Sequence, residues 1–98
     1  MYKTEDDVFI WNEFLAGNNR AYEFIYKKYA QTLFTYGLTL TNHEELVKDC
    51  IHDIFVRIYE NRKNLGTTNN IRLYLLSALK NSILMAFRKE NTYNKFKE

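Results

Sequence analysis

A chain of 98 residues that is 46% hydrophobic, 16% aromatic and 27% charged is long enough for one modest core, too short for two, and too apolar to be a disordered segment. Its net charge of +2 conceals a gradient: from Met1 to Val56 five Lys/Arg face nine Asp/Glu (net −4), and from Arg57 to Glu98 nine face three (net +6), so the C-terminal part suits a polyanion such as nucleic acid better than a membrane or a cationic partner. A lone cysteine excludes an internal disulfide, the acidic MYKTEDDVF start is unlike a signal peptide, and the run ILMAF is too short to span a bilayer, which predicts a cytoplasmic protein without membrane insertion.

With no proline and three glycines, little interrupts regular structure, and the spacing of Leu, Phe and Tyr predicts an all-α fold. Thr4 followed by Glu5, Asp6 and Asp7 reads as an N-cap with acids opposing the positive helix end. Val8, Trp11, Phe14 and Leu15 then form the apolar stripe of a short first helix. AGNN closes it, with Gly17 able to take the left-handed cap conformation and Asn18 or Asn19 able to cap the next helix.

A second helix is predicted from about Arg20 to Thr41, with Ala21, Phe24, Ile25, Tyr29, Leu33, Tyr36 and Leu40 inward. Gly37 within it reads as a close-packing position against a neighbour. Asn42, followed by Glu44 and Glu45, marks a new helix start. The third helix then carries Leu46, Val47, Cys50, Ile51, Ile54, Phe55, Val56, Ile58 and Tyr59, a stripe wide enough to be packed on two sides. Residues 61–70, NRKNLGTTNN, form the one real loop. A last helix runs from Ile71 to about Arg88 or Lys89, with Leu75, Leu79, Ile83, Ala86 and Phe87 inward. The expected organisation is one domain over residues 1–98: a compact bundle of about four helices to about residue 90, then a polar tail or the start of a linker over 91–98.

The single cysteine, Cys50, lies among potential metal ligands. Asp49, His52 and Asp53 lie at i, i+3 and i+4 on one helix face. A helical di-metal site, however, needs Glu-x-x-His pairs and carboxylates from facing helices, and no such set is present. Cys50 turns about 100° away from Asp49 onto the apolar stripe, where a small hydrophobic role is usual. Cys50 and His52 face apart, which argues against a Cys-His nucleophile. There is no P-loop, GxGxxG, GxSxG, HExxH or EF-hand loop. The chain reads as a non-enzyme with no cofactor and no metal.

Two polar faces remain. Glu45, Asp49, His52, Asp53, Arg57 and Glu60 on the third helix read either as a solvated surface laced with i,i+4 pairs or as a docking face. On the last helix Tyr74, Asn81 and Arg88 fall seven apart, with Lys80 beside Asn81. Lys and Arg suit phosphates, Asn base edges and Tyr stacking, although exposed helix faces often have this composition. The preceding loop adds Arg62, Lys63 and small polar side chains able to line a pocket for an unstacked base.

The order of these features resembles the second region of bacterial sigma factors of the sigma-70 family, in particular the extracytoplasmic-function group. That family shows Gly-Asp before an Ala-Phe-x-x-Leu-Tyr helix, then Ala-x-Asp-x-x-Gln-x-x-Phe, a polar loop, and Tyr-Leu or Trp-Leu ahead of Asn and a basic helix end. The corresponding residues here are Gly17-Asn18, Ala21-Tyr22 with Ile25-Tyr26, Asp49 through Phe55, Tyr74-Leu75, Asn81, and Arg88-Lys89, so the likeness extends from about Val8 to Lys89.

The resemblance implies a transcription initiation factor that binds core RNA polymerase and recognises and melts the promoter −10 element. It assigns docking on the clamp helices of the polymerase β′ subunit to Asp49, His52, Asp53, Val56, Arg57 and Glu60. Capture of a flipped non-template-strand base falls to the loop, through Asn61, Arg62, Lys63, Asn64, Thr67, Asn69 and Asn70. Contact with −10 DNA falls to Arg72, Tyr74, Lys80, Asn81 and Arg88. An anti-sigma factor is a further partner that such proteins often have.

Three departures stand out. His52 occupies the usual Gln position, making the polymerase contact a candidate for pH dependence, and Asn18 replaces Asp while keeping the capping chemistry. The helix-turn-helix that reads the −35 element has no counterpart in these residues, as expected of an excised N-terminal domain or of a short protein with a reduced role. A different class of function, a helical adaptor using the same bundle for protein contacts alone, is separated from this one by binding to single-stranded DNA.

Overall fold

The computed structural model describes the backbone of residues 6–97 and the side chains of residues 6–89. Four α-helices follow one another: α1 (Asp7–Leu15), α2 (Asn19–Leu40), α3 (Glu44–Glu60) and α4 (Ile71–Lys97), with a 3₁₀ turn at Arg62–Asn64 in the loop before α4. The described residues are therefore all-α, as expected. The cap assigned to Thr4 lies outside them.

The α1–α2 joint forms as the local sequence dictates. Gly17 adopts φ +99°, a conformation that L side chains rarely take. Asn18 then caps α2, its side-chain oxygen accepting from the Arg20 and Ala21 N–H groups at 2.9 and 3.2 Å. The Asn18 amide also donates to the Glu13 carboxylate at 3.0 Å, tying the end of α1 to the start of α2.

Helix α1 is rotated from its predicted orientation. Asp7, Ile10, Trp11 and Phe14 are buried, whereas Val8, expected inside, is 45% exposed. The reason is tertiary. Turning the helix by one residue brings the Asp7 carboxylate under the start of α4, a partner no local pattern reveals.

The core is continuous. Ala21, Ile25, Tyr29 and Leu33 of α2 meet Val47, Cys50, Ile51, Ile54, Phe55 and Ile58 of α3 and Ile71, Leu75, Leu79 and Ile83 of α4, with Ile10, Trp11 and Phe14 closing one side. Helix α3 packs on both α2 and α4, which accounts for its wide apolar stripe. Cys50 is a buried member of that core. Val56 is not, being 38% exposed on the outer face. At Gly37 a Cβ would run into the Val47 side chain, so the glycine lets α2 and α3 approach closely.

Two boundaries differ from expectation. His43, rather than Asn42, occupies the cap position of α3, and it makes no side-chain cap bond. Its N–H instead donates to Thr41 Oγ1 at 3.2 Å. Helix α4 continues to Lys97 through the stretch read as a polar tail. Residues 89–97, KENTYNKFK, include neither Gly nor Pro to stop it.

Candidate nucleic-acid and docking interfaces

The loop of residues 61–70 is more structured than its composition suggests. Asn61 closes α3, its amide donating to the Arg57 carbonyl at 2.9 Å. The Arg62 guanidinium lies 4.3 Å from the centre of the Tyr59 ring and donates to the Tyr59 carbonyl at 2.7 Å. Asn61 and Arg62, both assigned to DNA from the sequence, are thus engaged in ending α3. Lys63, Asn64 and Thr67 are exposed.

The far end of the loop starts α4. Thr68 Oγ1 accepts from the Asn70 N–H at 3.1 Å, and Asn70 Oδ1 accepts from the Leu73 N–H at 2.9 Å, an N-cap. The Ile71 N–H donates to Asp7 Oδ2 at 2.9 Å. Midway along, the Gly66 carbonyl accepts from the indole N–H of Trp11 at 2.8 Å.

Beside this helix start lies an open depression of about 450 Å³, lined by Thr68, Asn69, Asn70, Leu73, Tyr74, Ser77, Ala78 and Asn81. Its size is in the range of small-ligand sites. Amides and hydroxyls supply hydrogen bonds, and Tyr74 supplies an aromatic side chain. Of the residues expected to meet DNA, Asn69, Asn70, Tyr74 and Asn81 converge here. Arg72, Lys80 and Arg88 do not line it; they are exposed along the same helix and are not ion-paired among the described residues. The polar lining is thus neutral, with cations on the helix that forms one wall. Leu73 and Ser77 escaped the sequence reading, although the 70, 73, 74, 77, 81 spacing of one helix face was there to find them.

Tyr74 is held from behind by Trp11, with ring centroids 4.9 Å apart and planes tilted by 57°. Nearby, burial pushes the Tyr29 phenol above its ordinary pKa, the Asp7 charge adds to the rise, and Arg72 opposes it. That electrostatic coupling links α1, α2 and the first turn of α4.

A second surface lies on α3. Asp49, His52, Asp53, Val56, Arg57 and Glu60 are all exposed. The interlaced i,i+4 pairs of a simple solvated face do not form among them. Among the described residues the one α3 ion pair is Lys48–Glu45 at 3.7 Å. His52 also borders a depression of about 330 Å³ with Tyr26, Ala30, Gln31, Phe34, Lys48 and Ile51, so α2 contributes to this surface. Sequence reasoning placed Tyr26 only as a motif match, and the structure leaves it 46% exposed.

At one end of that region Tyr22 donates to the Phe55 carbonyl at 2.8 Å and stacks on Phe14 at 5.4 Å. Burial, then the neighbouring Tyr59 and Tyr26, raise the Tyr22 pKa. Among the described residues no group of three or more His, Cys, Asp or Glu side chains is placed to hold a metal. No described helix is long and apolar enough to cross a membrane.

Among known proteins, a family model described as sigma-70 region 2 matches residues 25–93. No curated protein and no solved structure matches the chain.

Proposed function

The chain belongs to the sigma-70 region 2 family, a family of transcription initiation factors and not of enzymes, and from that premise we propose that it is a promoter-opening domain of the extracytoplasmic-function type. In this reading the outer face of α3, from Asp49 through Glu60 and bordered by Tyr26 of α2, docks on the clamp helices of the RNA polymerase β′ subunit. The depression between the loop and α4 takes an unstacked base from the non-template strand of the −10 element. The site of action is the bacterial cytoplasm, where polymerase works, and an anti-sigma factor would compete for the same faces.

The observation that carries this reading is the depression itself. Neutral amides at Asn69, Asn70 and Asn81, hydroxyls at Thr68 and Ser77, and the Tyr74 ring line one cavity, while Arg72, Lys80 and Arg88 are exposed along the same helix. A base has edges for the amides and a face for the ring, and its flanking phosphates need the cations. Holding a base in such a cavity offsets part of the cost of unstacking it, which is how binding can favour an open duplex.

The division of labour predicts separable losses. Lys80→Ala and Arg88→Ala weaken binding to single-stranded −10-type DNA roughly uniformly across sequences and flatten its salt dependence, whereas Asn81→Ala reduces discrimination between sequences. If both cationic variants bind as the unaltered chain does, DNA is not the ligand, and retained binding to a clamp-helix fragment would then identify a protein-only adaptor.

A further inference from the structure

The residues that shape the depression lie in the loop and α4, but the groups that hold those residues in place come from α1, which precedes the family-matched segment of residues 25–93. Helix α1 makes three attachments to the site. Trp11 donates to the Gly66 carbonyl at 2.8 Å, packs its ring at a tilt against the Tyr74 ring with centroids 4.9 Å apart, and is fully buried. Asp7, 6% exposed, accepts the first N–H of α4 from Ile71 at 2.9 Å. One attachment fixes the loop before the cavity-lining residues 68–70, one fixes the helix just after them, and one backs the aromatic wall.

These contacts are costly in a way that plain packing would avoid. Asp7 is a buried carboxylate whose Oδ1 has no hydrogen-bond partner among the described residues. Burying such a group incurs a desolvation cost that an apolar residue would escape. A leucine in its place would fill space without holding the Ile71 N–H. Similarly, phenylalanine could supply most of Trp11's buried ring surface, but only the indole N–H reaches a loop carbonyl. Leu65 gives the loop some apolar anchorage, being partly buried against the core. From Gly66 to Asn70 no residue belongs to that core, and the indole bond reaches this segment from outside it.

We propose that Trp11, together with Asp7, is a positioning element for base capture: it holds residues 66–74 in the geometry that accepts an unstacked base, so that α1 governs base-dependent affinity without touching nucleic acid. The inference rests on the nucleic-acid reading of the depression. Preorganisation of this kind matters because a loop that must be ordered on binding spends part of the interaction free energy on that ordering. The effect should therefore appear only when a base enters the cavity.

The test uses the 98-residue chain and single-stranded oligonucleotides selected by it from a random pool, each compared with versions made abasic at one position at a time. For the unaltered chain, one abasic position should weaken binding at least about tenfold, the scale of losing one stacked base. Trp11→Phe should lose most of that preference, binding the intact strand about tenfold more weakly and the abasic strand as before, with an unchanged salt slope. Asp7→Ala should behave similarly and Asp7→Asn, which keeps an acceptor oxygen, should retain much of the preference. Hydrogen exchange at the 66–71 amides should accelerate in Trp11→Phe while core amides of α2 and α3 do not change. Full retention of base preference by Trp11→Phe overturns the positioning role, as does an equal loss on intact and abasic strands, which signals general destabilisation. If the unaltered chain itself shows no preference for any intact base, the base-capture reading fails first, and the positioning role falls with it.

Discussion

The Ile71 N–H donates to Asp7 Oδ2 at 2.9 Å, joining the first residue of α4 to the first residue of α1 across 64 positions of sequence. An acid expected to serve its own helix dipole instead caps a distant helix. Because a hydrogen bond to a charged acceptor contributes about 1.5–3 kcal/mol, Asp7→Ala should lower unfolding free energy by that order, and Asp7→Asn by less. Urea denaturation checks both. Equal stability of Asp7→Ala and the unaltered chain would mean that the bond contributes nothing to the fold.

Gly37 and Val47 give a second expectation. A Cβ on Gly37 would meet the Val47 side chain, which is fully buried and stiff at χ1. Overpacking costs about 1–3 kcal/mol, more than the roughly 1 kcal/mol that alanine gains over glycine in helix propensity. Gly37→Ala should therefore destabilise, and adding Val47→Ala should make the two losses less than additive. Stabilisation by Gly37→Ala alone would contradict the close approach of α2 and α3.

Alkaline pH should weaken the fold through one buried and one partly buried phenol, Tyr29 and Tyr22. Burial first, then the Asp7 charge, raise the Tyr29 pKa, and burial first raises that of Tyr22. A folded-state pKa above the unfolded one means that the native chain holds the proton more tightly. Their contribution is intact below the unfolded value of about 10 and is lost as pH rises through the folded values. Denaturation midpoints followed upward from neutral pH should fall beyond that point, and less steeply for Tyr29→Phe. A Tyr29→Phe profile identical to that of the unaltered chain would remove Tyr29 from this linkage.

The docking face gives a fourth. Asp53 is exposed on α3 beside Arg57 and Val56, with no ion pair among the described residues. Reversing a charge at a complementary interface places like charges together, so Asp53→Arg should weaken binding to a β′ clamp-helix fragment by tenfold or more, about 1.4 kcal/mol, without shifting the unfolding midpoint. Unchanged affinity would exclude this part of α3 from the contact.

What the sequence disclosed, and what it did not, follows the range of the interactions. The turn at Gly17-Asn18 was legible because a left-handed cap and an Asx cap are decided within four residues. The place of Cys50 in the core was legible from the α3 stripe, and the pairing of Tyr74 with Asn81 from their seven-residue spacing. The facing of α1 was legible only in part: Trp11 and Phe14 are buried as their spacing implies, but Asp7 takes the inward place expected of Val8 because its partner is at Ile71. The Tyr59 contact of Arg62 was hidden for the same reason. A loop arginine before a basic helix reads as a phosphate ligand, and only the folded chain shows its guanidinium against Tyr59. The end of α4 was misjudged because the polar composition of residues 91–97 was taken as a tail where no breaker exists.

The most direct measurement is equilibrium binding of the chain to the two single strands of a −10-type element, each at several salt concentrations. The base-capture account predicts tighter binding to the non-template strand than to the template strand, an affinity that falls as salt rises, and loss of the strand preference on Asn81→Ala. Equal affinity for both strands, or binding indifferent to salt, would contradict it.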